Sequence, residues 1–400
     1  MRRSIIRGVT TFLAIAVVGT MLVAATSGGG GDAAQASPSA SASVSVAPPE
    51  PQTWLAWVPG GLPSGFGDLI GGVQGITATT TAAADIAWLT ASFDANGDPV
   101  DQPQAPLMIP LDTTAVDPTF AAFVPQPERQ LVQNLRAGEA ILSESEATLR
   151  GLGAGSTLVF QGADQLQVAG TLPDDLMGSY EMLVTRQTGR RIAVVHDRYV
   201  LFHAKGAKAT PDALVSALGE LLPTDAPYPV VEVRAPGDTR YLRANDRSMP
   251  PLLLKRTFGE FLARPGEGTQ LVIDERWIQD HIRSVTLPTL GTVTCNDAIV
   301  PPLKQAVRLL ASTDQTASIT DVGDCFAPTY AVTGPTGPLD EASWGVSIEL
   351  NPSVNLPGQQ PEQSKALVQA MARAGFGWAG DDGYPQGALF RYGKSSQAKD

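Results

Sequence analysis

Gly345-Val-Ser-Ile-Glu-Leu-Asn351 alternates apolar and polar side chains along its length. Successive side chains of an extended chain point to opposite faces, so Val346, Ile348 and Leu350 share one face and Ser347 and Glu349 the other. The segment reads as a strand with one face buried, and its surroundings read as the rest of a small α+β domain. Downstream, a helix with Pro361 near its first turn carries Leu367, Val368 and Met371 inward and stops at Gly375. Gly375-Phe-Gly-Trp378 and Leu389-Phe-Arg-Tyr392 then close the domain. Upstream, Ile299, Leu303, Val307 and Leu310 recur at helical spacing between Ala298 and Ala311, one stripe facing a core. Further upstream, Leu271 and Ile273 lead into Asp274-Glu-Arg-Trp277-Ile278, a strand running into a short helix, and Cys325-Phe-Ala-Pro328 reads as a strand entering a turn.

The order of these landmarks over roughly residues 258–393 resembles the D-alanyl-D-alanine carboxypeptidase and L-alanyl-D-glutamate endopeptidase family of zinc peptidases. That family carries a Ser-x-His-x-x-Gly-x-Ala-x-Asp-hydrophobic-Asn segment whose His and Asp bind the metal. Aligned on Gly345, Ile348, Leu350 and Asn351, this chain has Asp340, Ala342, Ser347 and Glu349 at the Ser, His, Ala and Asp positions. Gly375-Phe-Gly-Trp378-Ala-Gly380 matches the family's Gly-Phe-x-Trp-Gly-Gly. The family ends in Asp-x-x-His-Phe-Glu, where the Asp serves the catalytic water and the His is the third ligand. Gln386, Leu389, Phe390 and Arg391 stand in those places here, and Thr329 stands where the family often has a substrate-binding arginine.

A catalytic zinc needs about three protein donors and an open position for water. Glu349 is the one donor left at the matching positions, since Ala342 and Leu389 carry no lone pair. Residues 282–400 contain no histidine. His196, His203 and His281 lie earlier and lack a common ligand spacing. Asp340, Glu341, Asp381 and Asp382 allow an all-oxygen calcium shell in principle, but acids in loops ordinarily face water. The expectation is therefore a domain with no catalytic residue and no metal or other cofactor. By position, Trp344, Glu349, Trp378 and Arg391 would line a surviving groove for peptidoglycan stem peptides. A structural or adaptor module of an envelope complex, and a divergent active peptidoglycan peptidase, are the alternatives.

At the N-terminus, Arg2, Arg3 and Arg7 precede the apolar run Thr11–Ala25, which ends in the small residues Val23-Ala24-Ala25. This is an export signal, as a cleaved signal peptide or a retained signal anchor spanning residues 1–25. No cysteine follows it, which excludes lipoprotein attachment. The remainder is expected outside the cytoplasm, secreted or anchored at the cell envelope, touching the membrane only through the N-terminal segment. A net charge of −12 argues against nucleic acid as a partner; peptidoglycan peptides are the partner that the resemblance implies, with envelope proteins as the alternative. Cys295 and Cys325, the only two cysteines, are expected to form one disulfide.

Residues 26–52 are a Gly/Ser/Ala/Pro linker. Trp54 to Thr81 is apolar but broken by Gly and Pro, and reads as an ordered cover over a neighbouring domain or as a membrane-adjacent segment, the cover being the expectation. Between about 82 and 180 strands alternate with turns. Ser143-Glu-Ser-Glu146 is a capping box opening a helix to Arg150, Leu158–Phe160 and Leu166–Val168 read as a hairpin, and Asp94-Ala-Asn-Gly-Asp98 reads as a turn. Residues 139–170 resemble the extracytoplasmic domain of ABC-type export permeases. From 181 to 250 a βαβ-like piece is expected, with Thr210 capping a helix lined by Leu214, Leu218 and Leu221 before Val230–Val233. The fold class is thus α+β and multi-domain: a β-rich domain (53–180), a small βαβ-like subdomain (181–250), the peptidase-like α+β domain with a small antiparallel sheet (251–393), and a tail (394–400).

Overall fold

A computed structural model describes residues 53–393 apart from 163, 207–208, 238–242, 244–247, 331–336 and 340. The signal segment, the linker, the tail and Asp340 lie outside the described residues. Residues 50–400 form one compact unit.

Among the described residues ten strands build one large mixed sheet: β1 Thr53–Trp57, β2 Ile76–Phe93, β3 Pro99–Asp101, β4 Ile109–Val116, β5 Glu139–Ser143, β6 Thr157–Phe160, β7 Gln165–Leu172, β8 Met182–Thr185, β9 Asp197–Ala204 and β10 Glu232–Arg234. Their order is β10-β1-β9-β2-β4-β8-β5-β7-β6, with β3 also on β2. β2, 18 residues long, organises the whole. Its early part pairs with β9, its middle with β4, and Leu89–Phe93 pairs with β6. Pairing with both β4 and β6 closes the path β2-β4-β8-β5-β7-β6 into a ring, and one apolar core draws on all six of those strands, from Ala87 and Leu111 to Phe160, Val168 and Val184. Ala82, Ala83, Ala84 and Ala87 keep β2 slim where it is buried on both sides.

Two expectations change here. The sheet takes β8, β9 and β10 from beyond residue 180, so residues 53–180 and 181–250 are one folded body rather than a domain and a subdomain. The reason is the apolar strand Asp197–Ala204, whose Tyr199–Phe202 are fully buried between β1 and β2. The Trp54 segment, in turn, is no cover. Thr53–Trp57 has no Gly or Pro and enters the sheet as β1, between β9 and β10, with Leu55 and Ala56 fully buried. The glycines and prolines that follow make the turn and a short helix, Phe66–Gly71. The β6–β7 hairpin and the Asp94–Asp98 turn are present as read. Ser143 caps its helix by accepting the Glu146 N–H, but the box is not reciprocal, because the Ser143 N–H goes to the Glu181 carbonyl and the Glu146 side chain to Arg150. Thr210 caps the helix Pro211–Gly219, which ends before Leu221.

Among the described residues the C-terminal half has three small antiparallel sheets: β11 Ala263–Pro265 with β12 Leu271–Ile273; β13 Ile282–Leu287 with β14 Gly291–Asn296; and β15 Ser347–Glu349, β16 Phe376–Trp378 and β17 Leu389–Tyr392 in the order β15-β17-β16. The helices Val300–Ser312 and Lys365–Arg373 cover the core with Leu303, Val307, Leu310, Leu367 and Met371. The second helix starts after Pro361, where Ser364 accepts the Leu367 N–H. Cys325–Pro328 is not a strand. It is an irregular segment held by single backbone bonds from Phe326 N–H to the Thr294 carbonyl and from Ala327 N–H to the Ala342 carbonyl. Gly345 sits at φ 68°, and a Cβ there would lie 2.8 Å from the Asn296 nitrogen, so only glycine lets β14 approach the chain entering β15.

Cys295 of β14 and Cys325 are disulfide-bonded, with Cα atoms 5.2 Å apart. Closing a loop of this length is worth about 3–4 kcal/mol through the unfolded chain. We expect Cys295→Ser with Cys325→Ser, or reduction, to lower the urea-unfolding free energy by about that amount. A change below about 1 kcal/mol would mean that the cross-link constrains little.

The two halves share both apolar and charged packing. Ile86, Trp88 and Met108 of the large sheet belong to the core of the C-terminal half, so residues 251–393 are not packed independently. Beside them lies a buried charge cluster. Lys255 Nζ is 2.7 Å from Glu181 and 3.1 Å from Glu260, and donates to the Pro110 carbonyl. Arg150 pairs with Glu146, Asp101 and Glu260. Four carboxylates thus face two cations. Burial pushes the Glu181 carboxyl up, partly offset by Lys255. Burial also acts on Glu260, but Lys255 and Arg150 outweigh it and hold that carboxyl below the usual range.

Candidate functional site

Two places carry charged groups in arrangements that core packing alone does not require. The first is the three-stranded sheet holding the peptidase-like pattern. Across the ladder Glu349 faces Leu389, Ile348 and Trp378 flank Phe390, and Ser347 and Gly377 flank Arg391. Directly opposed residues share a face, so Glu349, Leu389, Ser347 and Arg391 lie on one side and Ile348, Phe390 and Trp378 on the other. The positions that the resemblance assigns to two zinc ligands are therefore cross-strand neighbours, and they hold one carboxylate and one alkyl side chain. Glu349 is half-buried, and burial, then the neighbouring Asp324, push its carboxyl up.

The expected groove does not form as a set. Trp344 is fully buried, its Nε1 donating to the Gly259 carbonyl at 3.0 Å and its ring tilted against Phe261 at 4.6 Å. Arg391 is 5% exposed, bound to Asp382 at 2.9 Å with Glu341 at 3.9 Å. Trp378 donates to the Gly387 carbonyl and lies over Gly380, whose absent Cβ makes room for the ring. Only Glu349 keeps a half-open side chain on the outer face. The causes differ: Trp344 ends a 3-10 turn, Glu341–Trp344, that turns its ring into the core; strand alternation puts Trp378 on the core side with Phe390; and Arg391 is drawn down by two acids. Ala342 contributes its backbone carbonyl to Ala327 and Gly345. Among the described residues no group of three or more His, Cys, Asp or Glu side chains gathers in metal-binding geometry. His196 contacts Asp85, His203 stacks near Phe123 and His281 stacks on Trp277.

The second place is a cavity of about 300 Å³ at the seam between the large sheet and the C-terminal half. Trp57, Asp112, Tyr180, Arg198 and Arg243 face it from one side, and Asp382, Tyr384 and Gln386 from the other. Gln386, at the position of the family's catalytic acid, thus opens onto it. Asp112 is 1% exposed and lies 2.8 Å from Arg243 Nη1. Neither carboxylate oxygen accepts a well-aligned hydrogen bond among the described residues. Burial raises the Asp112 carboxyl, and Arg243 pulls it back. The Arg243 guanidinium also lies 4.3 Å from the centre of the Tyr180 ring, and burial holds that phenol well above its ordinary value.

Sequence reading did not find this cavity. Asp112 does break the apolar run Ile109-Pro-Leu-Asp-Thr-Thr-Ala-Val116 in a strand buried along its whole length, and a lone acid in such a strand is a usable signal. Arg243, which follows the last strand expected in the βαβ-like piece, offers none.

No protein-family profile matches the chain, and no curated protein does. Among solved structures it is similar to the periplasmic region of MacB from Actinobacillus actinomycetemcomitans, at 13% identity and a TM-score of 0.32 over 46% of this chain and 88% of that one. It is also similar to the extracellular domain of the noncanonic ABC-type transporter YknZ from Gram-positive bacteria, at 12% identity and a TM-score of 0.30 over 46% of this chain and 99% of that one. A third is a domain of a putative permease protein from Porphyromonas gingivalis, at 14% identity and a TM-score of 0.30 over 50% and 94%. These are weak likenesses of fold.

Proposed function

We propose that this chain is an exported cell-envelope protein that binds peptidoglycan stem peptides without cleaving them. The observation that carries the reading is the Glu349–Leu389 pair: the resemblance calls for two zinc ligands there, and the opposed side chains offer one carboxylate. One carboxylate does not hold a catalytic zinc. The face bearing Glu349 and Leu389 is the proposed contact surface, and the finer assignment to wall peptides rests on the resemblance of residues 258–393. Export is supported by the arginine-flanked apolar N-terminus and by the Cys295–Cys325 disulfide, which belongs to an oxidising compartment.

Co-sedimentation of the purified full chain with isolated peptidoglycan sacculi tests this. We expect the protein to pellet with sacculi, Glu349→Lys to lose most of that binding while keeping its melting temperature, and zinc analysis with D-Ala release to give neither metal nor product. A protein that stays in the supernatant, or a variant that pellets equally well, overturns the reading. Stoichiometric zinc with chelator-sensitive cleavage would make it an active peptidase instead.

A further inference from the structure

We propose that the seam cavity binds a neutral saccharide, with a pyranose ring stacked on the Tyr228–Tyr384 pair and its hydroxyls against the charge pairs of the wall. This goes beyond the stem-peptide reading and does not depend on it, because neither Glu349 nor Leu389 lines the cavity. The charges of the lining decide what the guest is not. Each of its five charged side chains has an opposite charge beside it: Asp112 and Arg243 pair with each other at 2.8 Å, Glu232 with Arg234 at 3.1 Å, Asp382 with Arg391 at 2.9 Å and Arg198 with Asp85 at 2.8 Å. A charged guest finds no uncompensated partner there and gives up its hydration on entry. A purely apolar guest fares no better, since it strips water from those pairs and returns no hydrogen bond. A hydroxyl both donates and accepts, so it serves the carboxylate and the guanidinium side of a pair alike. The Gln386 amide adds a donor and an acceptor to the same lining.

The cavity also offers a platform for the C–H face of a sugar ring. Tyr228 and Tyr384, both partly exposed, meet edge to face at 5.1 Å between ring centres, and aromatic rings pack well against apolar bodies while their hydroxyls stay with polar partners. The walls are set before any guest arrives. A Cβ at Gly60 would lie 2.5 Å from the Tyr228 ring, one at Gly358 2.7 Å from the Tyr384 ring and one at Gly383 2.7 Å from the Glu232 carboxyl carbon. Only bare backbone lets three lining side chains pack so closely, and walls fixed in advance lower the ordering cost of binding. The volume, about 300 Å³, is at the small end of ligand pockets and suits a sugar unit rather than a length of polymer.

Calorimetric titration of the full chain at about pH 6, where an amine is charged, tests this. The probes are the methyl pyranosides of glucose, mannose, galactose and N-acetylglucosamine, with glucosamine and glucuronate as charged relatives and cyclohexanol as a ring without the hydroxyl rim. The expected result is saturable one-to-one binding of a neutral pyranoside below about 10 mM, with both charged relatives at least about tenfold weaker and no saturation by cyclohexanol. Tyr384→Ala should weaken the pyranoside about threefold to tenfold with the circular dichroism unchanged; if that variant fails to fold, Gln386→Leu decides on the same terms. Glu349→Lys, on the proposed stem-peptide face, should bind the pyranoside as the wild type does. No saturation by any of the four pyranosides, a charged relative or cyclohexanol binding as tightly, unweakened binding by the variant that folds, or loss of binding in Glu349→Lys overturns the proposal.

Discussion

Lys255→Ala is expected to cost about 3–5 kcal/mol of folding stability, read as a lower urea midpoint at unchanged slope. Lys255 is one of two cations facing Glu146, Glu181, Glu260 and Asp101, and its side chain is 1% exposed. Removing it leaves Glu181, itself fully buried, beside uncompensated negative charge. The loss should shrink as the pH falls. Burial already raises the Glu181 carboxyl, and without the ammonium that once offset it the carboxyl is held further above its unfolded value, about 4.3 for glutamate. A group raised in the folded state gains native stability as the pH drops from its folded toward its unfolded value. The variant should therefore recover part of its deficit between about pH 8 and pH 5. Lys255→Met combined with Glu181→Gln should restore most of the stability at neutral pH, because a neutralised pair needs no charge compensation. A Lys255→Ala loss below about 1 kcal/mol would show that the cluster is hydrated and weakly coupled.

Trp344→Ala is expected to cost a further large amount, about 3–5 kcal/mol, as a buried aromatic replaced by a cavity. The ring is fully buried against Phe261, and its N–H serves the Gly259 carbonyl. Trp344→Phe should cost less, mainly the unsatisfied Gly259 carbonyl, on the order of 1–3 kcal/mol. The measurement separates two roles that sequence position alone confuses. A groove residue truncated to alanine leaves stability unchanged and costs binding; a core residue does the reverse. An unchanged thermal midpoint for Trp344→Ala would return this side chain to a binding surface.

Much of the C-terminal half was legible because its cues are local. The alternation around Ile348 and the helical stripe Leu303–Val307–Leu310 each depend on neighbours in the chain, and the disulfide follows from there being two cysteines in an exported sequence. Domain boundaries were less legible. Whether Thr53–Trp57 is a strand or a loop depends on β9 and β10, which lie about 140 residues and more downstream, and no window of sequence contains both partners. The candidate groove failed for a related reason. Aligned positions give the order of side chains along the chain, while burial decides which of them reach solvent: Trp344 and Arg391 do not, and Glu349 partly does.

By itself, the sequence determined the local grammar of this protein: the strand faces and the helix caps at Ser143 and Thr210. These follow from dihedral preferences and side-chain chemistry, which act over a few residues. Only the tertiary structure decided that β2 closes six strands into a ring, that Lys255 and Arg150 join the two halves through buried acids, and that Asp112 and Arg243 meet Tyr384 and Gln386 around one cavity. Those outcomes depend on which distant surfaces exclude water together, and the free energy of excluding it belongs to the assembled core rather than to any segment.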